Sequence, residues 1–377
     1  MTNTNGSRLP PLRVAGRVER LRGRLDDAGV DALVVTTLPN VRYLTGFSGS
    51  SGVLVVTATR ALLTTDGRYR TQSAEQVAGA GAEDLVEIEI GGQQAQRDAA
   101  RAALAGARRV GLEADNVTWE QSRQWIELLG GTEVVPTTRV VEQLREVKDA
   151  AELARMERAA AIADAALGEV LPLLSAAGSS RVTEEQFALE LDSAMRRAGA
   201  EGVAFDTIVA AGPNSAKPHH RPSGRPIGRG EPVVVDFGAL FEGYRSDMTR
   251  TFCVGGEPTG ELATIFTVVR DSQARGVAAV GPGVEAKAVD DACRGVIAAA
   301  GWAEKFEHGT GHGVGLDIHE APTVSPLGTA TLAPGVVVTV EPGVYLAGVG
   351  GVRIEDTLVV TEDGSRPLTH FTKDVAA

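Results

Sequence analysis

Five of the six histidines in this 377-residue chain fall in two short stretches, Pro218-His219-His220 and His308-Gly-Thr-Gly-His312-Gly-Val-Gly-Leu-Asp-Ile-His319. Two pairs of acids, Asp236 with Asp247 and Glu341 with Glu355, lie on apolar runs around the second stretch. Carboxylates supplemented by one or two imidazoles form the donor set that hard or borderline divalent cations require. Two such cations held close together activate a water for hydrolysis. These residue types in this pattern predict a dinuclear metallohydrolase.

Each residue has a plainer reading that must be weighed. Asp236 ends a run of three valines, where a charge is costly unless it is paired or coordinates a metal. Asp beside a glycine turn is also common for reasons of turn chemistry alone. Asp247 is expected across a hairpin from Asp236, facing it. Carboxylates that close raise one another's pKa unless a cation lies between them, so the pair is stronger evidence than either member. His308 and His312 have the spacing of a helical zinc pair, but the glycines between them disfavour helix. The glycines are expected instead to let backbone and imidazole approach a ligand closely. His308 is expected to hold that loop rather than a metal. His319 lies beyond the glycine-rich loop and need not be a ligand; an imidazole there can donate to a developing oxyanion or move a proton. Arg353 shares a strand face with Glu355, so it can pair with that acid, orient the site, or do both.

The elements that must position these residues are legible in outline. Helical spacing is expected over residues 14–28, 94–105 and 119–129, and short strands over 32–36, 52–56, 60–64 and 109–113. That alternation describes an α/β domain over residues 13–147, preceded by a polar leader at 1–12 that is expected to be disordered. A second domain over 148–377 opens on a long helix at 150–174. A further helix at 183–197 begins with Thr183-Glu-Glu-Gln186, a capping-box pattern. Two more helices are expected at 260–280 and 286–300. Within this domain Pro232-Val-Val-Val-Asp236-Phe-Gly238 echoes Val336-Val-Val-Thr-Val-Glu341-Pro-Gly343. Each leads through a turn with Gly and Tyr to a strand bearing a second acid, which suggests two similar halves with carboxylates meeting at the centre.

Composition narrows the class further. A formal charge of −12 argues against nucleic-acid or anionic-membrane partners, which demand a basic surface. Two cysteines, Cys253 and Cys293, are too few for a disulfide framework. No apolar run approaches the roughly 20 residues of a membrane span, and the N-terminus has no signal-peptide core. A cytoplasmic enzyme is expected.

The ordered set Asp236, Asp247, His312, Glu341 and Glu355 resembles the metal centre of the methionine aminopeptidase, aminopeptidase P and prolidase superfamily. The surrounding words carry the same resemblance: Phe205-Asp-Thr-Ile through Lys217-Pro-His219, Asp236-Phe-Gly, Ser246-Asp247-Met-Thr-Arg, Glu341-Pro-Gly and Val352-Arg-Ile-Glu355-Asp. In the first domain, Asn40-Val-Arg-Tyr-Leu-Thr-Gly-Phe47 and Thr65-Asp-Gly-Arg-Tyr69 are similar to words of the creatinase-like N-terminal domain; taken locally, they are turn chemistry. The resemblance implies an α+β, pita-bread catalytic domain preceded by a creatinase-like α/β domain. It implies that Asp236 chelates one metal, that Asp247 and Glu355 bridge both, and that His312 and Glu341 complete the other. His219 and His319 match the two histidines that contact the scissile amide and its carbonyl, Glu341 relays the proton, and His308 and Arg353 support the ligands. His220 stands where the family has a varied residue and receives no role.

The activity so implied is an Xaa-Pro aminopeptidase acting through a metal-bridging hydroxide on peptides with proline at the second position. Manganese or cobalt is expected, with zinc and iron also compatible, in a homodimer. Prolidase is the alternative. Methionine aminopeptidases of the simple type lack the first domain. A metal-free creatinase-like enzyme, or an interaction protein on the same fold, would normally have lost ligands that this chain keeps.

Overall fold

The computed structural model describes residues 9–175 and 182–374, so most of the expected leader, residues 1–8, lies outside the described residues. The chain divides between Arg145 and Glu146, just upstream of the expected junction. The reason is local. Val147 forms a β-bridge with Val336, and the Lys148 amide donates to the Gly335 carbonyl at 2.9 Å, so these residues are tied into the second unit.

The first unit is built on a six-stranded mixed sheet. Its spatial order is Glu87–Ile90, Ala61–Thr65, Val53–Thr57, Ala32–Val35, Arg109–Glu113 and Glu133–Thr137. The central strand Ala32–Val35 is buried along its whole length, as its unbroken apolar run requires when both faces are covered. Gln93–Ala103 and Trp119–Leu129 cover one face, where Ala100, Ala103 and Leu129 join Val34, Val110 and Leu112 in one core. The two strands not foreseen, Glu87–Ile90 and Glu133–Thr137, are the sheet's edges. One alternates Glu with Ile and the other contains Pro136, both edge features that weaken a strand signal.

Of the stretch read locally as turn chemistry, the first part belongs to a helix, Leu38–Thr45, with Pro39 in its first turn and Gly46 closing it at φ 78°, while residues 46–52 are the irregular connection to Val53–Thr57. The helix start is fixed by a distant carboxylate. Glu113 accepts from the Thr36 and Thr37 amides at 2.6 and 2.8 Å, satisfying donors that a helix N-terminus leaves open.

The second unit contains two similar halves, each a helix pair laid on a sheet. Ala150–Val170 and Glu184–Arg197 pack with Ile208–Ala211, Pro232–Phe237 and Met248–Cys253 around Phe187, Leu191, Val235 and Phe252. Gly260–Ala279 and Ala286–Ala299 pack with Val337–Val340 and Asp356–Val360 around Ile265, Cys293, Val338 and Leu358. Capping boxes open two of these helices, Asp149 with Glu152 and Thr183 with Gln186. Among the described residues no helix is long and apolar enough to cross a membrane.

Candidate metal centre

In each half the main strand pair gives way to a small ribbon, part of a three-stranded sheet in the first half and two-stranded in the second, and the acids sit at that transition. Asp236 is next to last in Pro232–Phe237, whereas Asp247 lies between the ribbon strand Tyr244–Arg245 and the main strand Met248–Cys253. Glu341 follows Val337–Val340 directly, and Glu355 lies between the ribbon strand Gly350–Arg353 and Asp356–Val360. The register corrects one expectation. Asp236 faces Thr249 across the pair, so Asp247 is its diagonal neighbour on the same face rather than its direct opposite. The Glu355 amide donates to the Thr249 carbonyl at 3.1 Å, which ties the second half's ligand strand to the first half's.

His312 lies in the strand Gly311–Gly313, and a register shift between His312 and Gly313 re-aims its ring. The flanking glycines have a structural reason beyond the ligand approach that the sequence suggested. A Cβ on Gly311 would collide with the Thr339 carbonyl, and one on Gly313 with the Ala321 carbonyl, so glycine is what lets neighbouring strands close on His312. Its Nδ1 lies 3.0 Å from the Gly313 carbonyl and donates to it, which leaves the Nε2 lone pair free. That Nε2 stands 3.4 Å from Glu341 Oε1 and 3.6 Å from Asp247 Oδ2. Burial pushes the imidazole's pKa down, which keeps it neutral as a ligand must be.

Asp247, His312 and Glu355 each offer a ligand atom, and these atoms all lie within 4.8 Å of one another. Burial, followed by repulsion among the acids, pushes the Asp247 and Glu355 carboxyls well above the usual carboxylate range. Burial pushes Glu341 up to about 8 against the opposing pull of Arg353. Two buried carboxylate oxygens in this cluster, Asp236 Oδ1 and Glu355 Oε1, have no hydrogen-bond partner. An uncompensated buried acid cluster is costly, and divalent cations are what its geometry and donor types fit.

Arg353 is buried and serves four acceptors. It donates to Asp236 Oδ2 at 2.6 Å, Tyr345 Oη at 3.0 Å, Thr249 Oγ1 at 3.1 Å and the Pro218 carbonyl at 3.3 Å. Its carboxylate partner is therefore Asp236, while Glu355 accepts from Thr249 Oγ1 at 2.7 Å. His308 hydrogen-bonds the Gly309 carbonyl through Nδ1 and Tyr345 Oη through Nε2, at 2.7 and 2.8 Å, and burial pushes its pKa down to about 4. His319 is exposed, with its ring edge-on to His312 at 4.4 Å. His219 is exposed and close enough to His308 and His319 to depress their pKa values by charge.

Sequence reasoning missed Tyr345, Thr249, Asp290 and Arg294. The last two sit one helical turn apart on Ala286–Ala299 and brace the histidine loop. Asp290 accepts from Thr310 Oγ1 at 2.8 Å, and Arg294 donates to the His308 carbonyl at 2.8 Å. Their spacing was visible; what they brace was not.

Residues 154–362 match the model of metallopeptidase family M24, and residues 17–147 match that of the creatinase/prolidase N-terminal domain. The chain is 41% identical to the uncharacterized peptidase YqhT of Bacillus subtilis over 95% of its own length and 99% of that protein's. A solved Xaa-Pro dipeptidase from Bacillus anthracis superposes with a TM-score of 0.90 at 37% identity, covering 97% of this chain and 100% of that one. An X-Pro aminopeptidase from Thermotoga maritima superposes at 0.85 with 32% identity, over 96% and 99%.

Proposed function

Because this chain belongs to metallopeptidase family M24 and carries a creatinase/prolidase N-terminal domain, we propose that it hydrolyses the bond between an N-terminal residue and a following proline. The observation that carries this reading is the buried acid cluster around His312, with two carboxylate oxygens left for a cation. Asp236, Asp247, His312, Glu341 and Glu355 would hold the divalent metal ions. Manganese or cobalt suits this oxygen-rich set, and zinc or iron is compatible with it. When bound, such metals lower the pKa of a water and polarise the scissile carbonyl.

The chain's own residues supply the rest. Glu341 would take a proton from the water that attacks the carbonyl and pass it to the leaving proline nitrogen as the C–N bond breaks. His319 donates to the carbonyl oxygen as negative charge develops there, and His219 contacts the scissile amide. Arg353 orients Asp236 through its hydrogen bond to Oδ2.

Removal of one residue from longer peptides is favoured over action on dipeptides alone. A dipeptidase must capture the free carboxylate of its proline product, and two arginines whose charge could do so, Arg68 and Arg353, already pair with carboxylates of this chain. Arg68 forms a fork with Asp66, at 2.9 Å from Nε and 2.8 Å from its terminal nitrogen, and Arg353 is occupied as described. The Bacillus anthracis relative is named an Xaa-Pro dipeptidase, which supports the second reading, prolidase. A homodimer in the cytoplasm completes the proposal. The free, buried Cys253 and Cys293 suit a reducing compartment, and light scattering tests the dimer.

A panel of Xaa-Pro dipeptides, Xaa-Pro-Yaa tripeptides and Met-Ala-Yaa peptides, assayed with Mn(II) and Co(II), decides among these activities. Cleavage of the tripeptides after residue one is expected. Hydrolysis of dipeptides alone would establish prolidase, and cleavage of Met-Ala-Yaa alone would end the proline reading.

A further inference from the structure

His219 has no side-chain hydrogen bond to another described residue, so its place depends on the backbone that carries it. That backbone is organised by Glu184, the first residue of the helix Glu184–Arg197, which is wholly buried. One carboxylate oxygen accepts from the Ala211 amide at 2.8 Å and from Asn214 Nδ2 at 3.0 Å. The other accepts from Ser223 Oγ at 2.6 Å and the Ser223 amide at 3.1 Å, and lies 2.9 Å from His220 Nε2. An ionised carboxylate only accepts, so the His220 ring donates to it. Donors on both sides of His219 thus converge on one buried charge, at a helix N-terminus that favours a negative group.

Each neighbour of His219 is anchored to a different support. The Pro218 carbonyl accepts from Arg353, which also holds Asp236. The His220 ring is held by Glu184. The turn upstream, Gly212–Ala216, is fastened by Ser215, whose Oγ accepts from the Gly351 amide at 2.8 Å.

We propose that Glu184, acting through His220, is a positioning residue that sets His219 against the scissile amide. This gives His220 a task and explains why a fully buried glutamate sits in the second unit away from the acid cluster. The inference rests on the functional reading of His219 given above.

The test is a double-mutant cycle between His220→Ala and His219→Ala, with kcat, KM and metal content measured on an Xaa-Pro-Yaa tripeptide. His220→Ala is expected to lower kcat by about 10- to 100-fold, the scale of a small misplacement, with KM and metal content retained. In the His219→Ala background the same change is expected to cost less than about twofold, because the group it positions is gone. Glu184→Gln, with folding followed by thermal melting, is expected to lose more turnover than His220→Ala and to show the same non-additivity. Wild-type kcat in His220→Ala, or an equal loss in both backgrounds, would overturn the inference. A His219→Ala variant as active as wild type would instead overturn the reading of His219 itself.

Discussion

At the scale of single residues, the proposed mechanism separates groups that bind metal from groups that move protons. The acids are buried and crowded with His312, whereas His219 and His319 are exposed beside them. His219→Ala and His319→Ala are therefore expected to keep their metals and lose kcat by a factor on the order of 10² to 10⁴. A variant purified without metal would show that its histidine is a ligand. That the structure gathers Asp247, His312 and Glu355 was legible because residue type and order survive in the sequence. Their supports were not: Thr249 reaches Glu355, and Arg353 reaches Asp236, across more than a hundred positions. Hydrogen bonds of that separation leave no local pattern.

At the scale of elements, periodicity and capping gave the long helices and the central strands, with small errors at their ends. Thr183 with Gln186 forms the capping box its spacing announced. Elements that lack a strong period were passed over, including Leu38–Thr45, whose start is set by the remote Glu113, and both edge strands. The packing role of the glycines beside His312 was not foreseen because a neighbouring carbonyl is invisible in one dimension. Gly313→Ala, which forces a methyl against the Ala321 carbonyl, is expected to destabilise the fold by about 1–3 kcal/mol, read as a lowered Tm. An unchanged Tm would show that the strands can separate there at little cost.

Glu184 adds a pH dependence to the same set of elements. Burial raises its pKa, but hydrogen bonds from Ser223, Ala211, Asn214 and His220 outweigh burial and hold it below the usual glutamate range. A depressed carboxyl pKa contributes stability above the unfolded value of about 4.3 and loses it as pH falls through the folded value. Between about pH 5 and pH 3, wild type is expected to lose more thermal stability than Glu184→Gln. Parallel losses would mean that the carboxylate is not held in its charged form.

At the scale of the molecule, two similar halves each contribute a strand pair, a ribbon and two acids, and His312 joins them from the second half. The echo between Pro232–Phe237 and Val337–Val340 was visible in sequence, whereas the register that makes Asp236 and Asp247 diagonal neighbours emerged only from the paired strands. Asp247 is central to this arrangement, since it lies within ligand distance of both His312 and Glu355. Metal content by mass spectrometry on wild type and Asp247→Ala, with turnover of an Xaa-Pro-Yaa peptide read in parallel, is the most direct test of a dinuclear peptidase. Two divalent ions per wild-type chain are expected, with fewer than two and almost no turnover in the variant. A variant that kept wild-type turnover without that carboxylate would contradict the dinuclear mechanism.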